Sequence, residues 1–338
     1  MVALPQDTGL ETAPTQRVQV TVRSAGGPEV LVVERTQMPV PGAGELVLQM
    51  QAAGVAFGDI TQRQGRNPGK IPPVLGYDIV GVVTAVGSGV DGFAVGQRVT
   101  ALTVVGGYAS HVVAPAKWAV PVPDDLVAAE VSALTLNYVT AWQMLHRVAR
   151  VEAGQSILVL GAAGGVGSAL TELAMLAGAR VYGTASPHRH QALRARGAIV
   201  VPDAGSVPER VDATFDSVGG PSLARSRQAT KRAGVVVAFG FSFTVDAKHS
   251  RPGGLALAVL GLARAKLTPG ARVTNFVITS SAAKDPTGIR TDLTHLVGLL
   301  ADGSLHPVVE TMPLSRAADA HRRLENRQVT GKLVLVAD

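Results

Sequence analysis

The segment with the clearest chemistry is Gly161-Ala162-Ala163-Gly164-Gly165-Val166-Gly167, which follows the apolar run 157–160 and opens a helical pattern over 168–177. A strand that feeds a tight glycine turn and then a helix presents backbone N–H groups and a partial positive charge to a pyrophosphate. Gly164, Gly165 and Gly167 carry no Cβ to block that approach or the helix–strand contact, and Val166 sits among them. The spacing is G-x-x-G-x-x-G, which a plain strand-to-helix turn can also show. Its setting inside a strand–helix–strand unit favours a dinucleotide. An NAD site places an acid roughly 20 residues beyond the turn, to accept from the ribose 2′-OH. No Asp or Glu occurs between Glu172 and Asp203, and the next strand ends at Ala185-Ser186 before Pro187, His188, Arg189 and His190. A hydroxyl at Ser186 with Arg189 and His190 suits a 2′-phosphate, since guanidinium offers a planar fork of donors. NADPH is therefore the expected cofactor, the alternative being that Arg189 is a solvated helix residue.

Other chemistries are closed off by composition. Cysteine is absent, so disulfides, thiolate nucleophiles and Cys-ligated zinc are excluded. None of the eight histidines has a metal-ligand spacing, and His146, His295 and His321 fall in helical patterns where surface or packing roles suffice. The net charge of +6 and pI near 9.9 would suit a polyanion, but there is no run of Lys/Arg and aromatics are only 4%, which argues against nucleic acid. A diffuse field that attracts an anionic cofactor fits better. The first residues lack a basic and an apolar signal region, and the greasy run 255–263 is far short of the ~18–20 residues needed to cross a bilayer. A cytoplasmic protein with no membrane partner is expected.

These residues need elements to hold them. Residues 1–16 read as a polar tail. Short alternating runs with Gly/Pro punctuation follow at 17–23, 29–35, 45–55, 79–87, 97–103 and 108–115, the pattern of antiparallel strands in a β-rich, barrel-like domain. Near Pro123 the character changes. Asp124 or Asp125 is expected to cap a helix from about Val127, with another over 134–148. Then strands at 156–162, 180–186, 199–201, 212–218, 234–241 and 272–279 alternate with helices at 165–177, 188–196 and 223–231, which argues for a parallel sheet buried on both faces. Helices at 288–302 and 314–326 and a strand at 333–337 close the chain.

Ten segments in order resemble the medium-chain dehydrogenase/reductase superfamily, in its zinc-free quinone oxidoreductase and enoyl reductase branch: AGGPEVL (25–31), PGAGEL (41–46), GVAFGD (54–59), PVLGYDIVGVVTAVG (73–87), VGQRV (95–99), GGYASHVVAP (106–115), LTLNYVTAW (134–142), GAAGGVG (161–167), DSVGG (216–220) and TGKLVL (330–335). The resemblance implies an α/β fold in which a GroES-like β-rich catalytic domain is interrupted by a Rossmann doubly wound parallel sheet. It divides the chain into a tail (1–16), the first catalytic part (17–126), the NADP-binding domain (127–300) and the catalytic return (301–338), with the active site in the cleft. It also implies a homodimer. Zinc-dependent members carry a Cys where this chain has Ala56 and a His where it has Tyr77, so no metal is expected. Ala56 also replaces an asparagine found at the quinone site of related members.

By the same resemblance Tyr77 and Asp59 lie near the reacting centre and Thr140 near the nicotinamide. Tyr77 is either a hydrogen-bond donor or a packed aromatic, Asp59 either lines the cleft or fixes backbone, and Thr140 is either a cofactor contact or a satisfied helix hydroxyl; Tyr108 reads as structural. Val218 and Gly219, Phe239 and Gly240 at a strand end, and Phe276 are placed around the cofactor, and a C-terminal phosphate-binding arginine matches Arg327. The family's tyrosine after the third strand has no counterpart near Asp203-Ala204. Without a Lewis acid, a conjugated acceptor such as a quinone or an α,β-unsaturated carbonyl is easier to reduce than a simple ketone, because charge spreads into an enolate or phenolate. The competing readings are a zinc-free ketone/alcohol oxidoreductase and a non-catalytic NADPH-binding protein. The proton donor stays unassigned.

Overall fold

The computed structural model describes residues 15–67, 69–239, 261, 263 and 270–338. Gly240 and most of the apolar segment 252–269 lie outside the described residues. Alternation and Gly/Pro punctuation in the first third produce strands. β1 (Gln16–Val22) and β2 (Leu31–Gln37) form an antiparallel pair. β3 (Glu45–Val55), β4 (Asp78–Val86), β5 (Arg98–Leu102), β6 (His111–Pro115) and β7 (Ala119–Pro121) begin a larger sheet, and a short helix, α1 (Phe57–Arg63), interrupts them. Sequence periodicity missed α1 because seven residues are too few to show a helical repeat.

A helical run then leads into the second half: α2 (Ala128–Ala133), a π-type segment Leu134–Tyr138, α3 (Val139–Trp142) and a second π-type segment Gln143–Ala149. Its first residue is preceded by Val127 with no side-chain cap, and Asp124 and Asp125 are exposed, which corrects the expected cap. The run is buried from both sides, so packing rather than capping holds it.

The parallel sheet comprises β8 (Ser156–Leu160), β9 (Arg180–Thr184), β10 (Ile199–Val200), β11 (Val211–Asp216), β12 (Thr230–Ala238) and β13 (Arg272–Asn275), in the order β10-β9-β8-β11-β12-β13 with every pairing parallel. Crossovers run through α4 (Gly165–Leu176), α5 (His190–Ala195) and α6 (Ser222–Ala229). The chain turns one way from β8 to β9 and the other way to reach β11. That reversal opens a crevice at the carboxyl ends of the strands, and the glycine turn lies in it. The expected strand over 272–279 stops at Asn275, and α7 (Ile278–Lys284) starts within it, because β12 ends at Ala238 and offers no further ladder. The expected helix to Lys231 stops at Ala229, since Thr230 and its successors join the sheet.

After α8 (Pro286–Ala301), β14 (Val309–Pro313), α9 (Ala317–Glu325) and β15 (Lys332–Val336) return to complete the first sheet, ordered β14-β15-β3-β4-β5-β7 with β6 on β3. β14 was not anticipated. The architecture is the expected one, a GroES-like part interrupted by a Rossmann-like parallel sheet.

Candidate active site

The glycine turn is held by its neighbours. Gly161 has a left-handed backbone (φ +76°) and its N–H donates to Thr184 Oγ1 at 3.1 Å, while Ala162 N–H donates to Thr184 O at 2.9 Å. Gly164 N–H closes back on Gly161 O at 3.0 Å before α4 begins at Gly165. A methyl on Gly167 would overlap the Gly161 carbonyl, and one on Gly165 would overlap the Asn137 amide. At Gly164 an added Cβ meets only Gly161 O at 3.4 Å and otherwise open space, so the bare backbone there forms a cradle. Val166 is half-buried beside it.

Thr140 lies on α3, which packs on α4. It is 6% exposed, and its Oγ1 is buried with no hydrogen-bond partner among the described residues. A hydroxyl kept from water and unpaired costs free energy unless something else engages it. That orphaned atom, the cradle at Gly164 and the helix N-terminus of α4 fit a dinucleotide. Asn137, one turn earlier and equally buried against Gly165, was not singled out from the sequence. The signal was there: a run of polar residues (Thr135, Asn137, Thr140) on an otherwise apolar buried helix.

At the end of β9, Ser186 is half-buried before the 3-10 turn Pro187–Arg189. Arg189 Nη2 donates to the backbone carbonyl of Arg327, which brings together two arginines far apart in sequence. Arg327 adopts a left-handed backbone (φ +56°) after α9. Burial lowers the Arg189 pKa from its ordinary value; Glu310 opposes that shift, and the positive charge of Arg327 adds to it. His190 Nε2–H donates to Ala185 O at 2.9 Å, since a carbonyl only accepts.

At the ends of β11 and β12, the N–H groups of Val218 and Gly219 both donate to Asp216 Oδ1, at 2.8 and 2.9 Å. Ser222 and Ser226 hydroxyls donate to Asp216 Oδ2 at 2.6 and 2.7 Å. These amides are therefore engaged within the protein, and the left-handed Gly219 (φ +74°) shapes the crevice wall by its backbone. Asp216, fully buried, is the residue that sets this turn. Phe239 N–H donates to Asp216 O and Phe276 N–H to Ala238 O, so both half-buried rings leave the sheet at the same carboxyl edge.

In the GroES-like part, Tyr77 is half-buried, its hydroxyl accepts from Gln62 Nε2 at 3.2 Å, and its ring covers Gly58. Burial, then the charge of Asp59, pushes its pKa up to about 12, so the phenol stays protonated. Its hydrogen is not used by Gln62, whose amide is the donor. Asp59 is fully buried, which favours the second of its two expected roles, fixing backbone. Its Oδ2 accepts from Ala56 N–H at 2.8 Å and Tyr108 Oη at 3.0 Å, and its Oδ1 from Gly76 N–H at 2.9 Å. It fixes the backbone on both sides of the site.

Behind Asp59 lies a directional chain. Arg63 can only donate, so His321 Nδ1 accepts from its Nη1 at 3.1 Å; Nε2 then carries the proton and donates to Tyr108 Oη at 3.2 Å, and Tyr108 donates to Asp59. Arg63 continues to Glu325 at 2.5 Å. Burial, reinforced by Arg63, lowers the His321 pKa to about 3, which keeps it neutral. His321 had read as a surface or packing residue; its partners are distant in sequence and left no local signal.

Family models match two stretches: an alcohol dehydrogenase GroES-like domain over residues 42–124 and a zinc-binding dehydrogenase over 188–335. The chain is 30% identical to a human synaptic vesicle membrane protein VAT-1 homolog-like, over 94% of this chain and 80% of that protein. The chain belongs to the medium-chain dehydrogenase/reductase superfamily. Among solved structures of such proteins, a quinone oxidoreductase from Pseudomonas syringae superposes with a TM-score of 0.82 at 30% identity, covering 95% of this chain and 99% of that one. A mycobacterial protein solved in complex with NADPH superposes with a TM-score of 0.80 at 26% identity, over 95% and 99% of the two chains. Ala56 and Tyr77, which the sequence resemblance matches to a Cys and a His of zinc-dependent members, present a methyl group and a protonated phenol. Among the described residues no helix is long and apolar enough to cross a membrane.

Proposed function

We propose that the protein is an NADPH-dependent, zinc-independent reductase that delivers hydride to a conjugated acceptor, a quinone or an α,β-unsaturated carbonyl. The observation that carries the reading is the convergence of Arg189 and Arg327 at the end of β9, beside a glycine turn in the sheet's crevice and with no Asp or Glu in the sequence between Glu172 and Asp203. Bound there, the nicotinamide supplies the hydride. Gly164, Gly165, Val166 and Gly167 admit the pyrophosphate at the α4 N-terminus. Ser186, Arg189, His190 and Arg327 hold the 2′-phosphate, and Thr140, with its unpaired hydroxyl, orients the nicotinamide end. Val218, Gly219, Phe239 and Phe276 form the crevice wall, with Gly240 following Phe239.

Tyr77 donates a hydrogen bond to the acceptor oxygen as negative charge builds on it. Neither Ala56 nor a neutral Tyr77 replaces a Lewis acid, so the favoured acceptors are those that delocalise the charge. The mycobacterial NADPH complex and the Pseudomonas quinone oxidoreductase support this reading. We also place the protein in a homodimer; among the described residues β13 is the last strand of the parallel sheet.

The test is an NADPH-consumption screen against quinones and enones with NADH in parallel. Turnover with NADPH and a saturated ketone product from an enone is expected. An allylic alcohol would instead indicate carbonyl reduction, and NADPH binding without turnover on any acceptor would indicate a non-catalytic protein.

A further inference from the structure

We propose that the buried ion pair between Asp78 and Lys332 is a positioning joint that holds the glycine turn in register with the Tyr77 loop; this rests on the reading of Gly161–Gly167 as the cofactor turn. Lys332 Nζ meets Asp78 Oδ2 at 2.9 Å, with the side chains 2% and 0% exposed. Removing two charges from water carries a penalty that the attraction between them only partly offsets, so such a pair is a poor choice for stability alone. Its value lies in direction: one ammonium and one carboxylate fit in one arrangement, where apolar side chains would slide.

The pair has been given room and partners. Asp78 Oδ1 accepts from Ser132 Oγ at 2.6 Å and from Gly54 N–H at 2.9 Å, so both oxygens are satisfied. A methyl on Gly54 would overlap Lys332 Cε, so β3 gives up a side chain to admit the lysine. Each partner lies next to a residue that belongs to the candidate site or contacts it. Asp78 follows Tyr77 in the chain. Lys332 follows Gly331, whose N–H donates to Ala163 O at 3.2 Å and which bridges Gly164 inside the glycine turn. Ser132 sits on the helical run that carries Asn137 and Thr140. Residues 330–332 are also pinned from the other side, by Thr330 N–H on Glu310 Oε1 at 3.2 Å and Lys332 N–H on Val308 O at 2.9 Å. Gly331 itself has a left-handed backbone (φ +72°), and a Cβ there would overlap the Val308 carbonyl. One carboxylate thus joins the loop of the hydrogen-bond donor, the turn for the pyrophosphate and the helix of Thr140.

Amide hydrogen exchange followed by mass spectrometry tests the joint, with the full-length protein, NADPH as probe and no acceptor present. In the wild type, NADPH is expected to slow exchange in peptides covering 161–168 and also, by about tenfold, in those covering 77–82. The double variant Asp78→Asn/Lys332→Met removes both charges without leaving one unpaired. It is expected to keep protection at 161–168, to lose the slowing at 77–82, and to lower kcat while the KM for NADPH changes little. If NADPH protects 161–168 in the wild type and leaves 77–82 unchanged, the proposal fails whatever the variant does. It also fails if the double variant transmits protection as the wild type does. No protection at 161–168 with NADPH or NADH would overturn the cofactor reading, and this proposal with it.

Discussion

Asp59 gives a prediction whose size follows from its surroundings. Desolvation raises its carboxyl from 3.8 to about 6, with the N–H groups of Ala56 and Gly76, then Tyr108 and Lys332, pulling the other way. The folded state therefore binds a proton more tightly than the unfolded chain between these values, so stability falls as pH rises through this window. At about 1.4 kcal/mol per pKa unit, holding Asp59 ionised above the window costs roughly 3 kcal/mol. Some of that cost remains near pH 4.5, because the unfolded carboxyl is still mostly ionised there. Lowering pH from about 7.5 to 4.5 should then stabilise the wild type by about 2 kcal/mol relative to Asp59→Asn, whose side chain does not titrate. Other carboxylates titrate in both proteins, so the informative quantity is the difference between the two, measured from urea unfolding at a series of pH values. A difference flat to within about 0.5 kcal/mol across the series would refute the assignment of a raised pKa to this residue.

Three further outcomes are expected. Arg189→Ala combined with Arg327→Ala should weaken NADPH by about ten- to a hundredfold, the worth of charge-assisted hydrogen bonds at a half-exposed site, and leave NADH within about threefold; equal losses for both cofactors in a fluorescence titration would overturn the phosphate assignment. Tyr77→Phe should lower kcat by about a hundredfold with little change in the KM for NADPH, as for loss of a donor that acts in the transition state; unchanged turnover would make Tyr77 a packing residue. Gly167→Ala puts a methyl against the Gly161 carbonyl and should abolish measurable NADPH binding while β8 and α4 still fold, as followed by circular dichroism and cofactor titration; wild-type affinity would show that the turn can open freely.

Local pattern made much of this protein legible. The strand–glycine–helix passage at 157–177, the alternation of continuous apolar strands with helices, and the lack of any acid between Glu172 and Asp203 depend only on neighbours along the chain, and they fixed the parallel sheet and the place of the turn. Composition alone excluded cysteine chemistry. Element ends were less legible: α7 begins at Ile278 because β12 has no residue left to pair, and the Ala128–Ala149 run needs no cap because it is buried on both sides. What the sequence could not decide was which distant side chains meet. The motif left Asp59 either a cleft residue or a backbone clamp, and only its burial among Ala56, Gly76 and Tyr108 favours the clamp. His321 gained its neutral, one-way role from Arg63 and Tyr108, and Lys332, the first residue of β15, became half of a buried pair with Asp78. Hydrophobic periodicity is set by each element against the core as a whole. The protonation state and direction of a polar group depend on the particular atoms packed around it, and only the folded chain brings those atoms together.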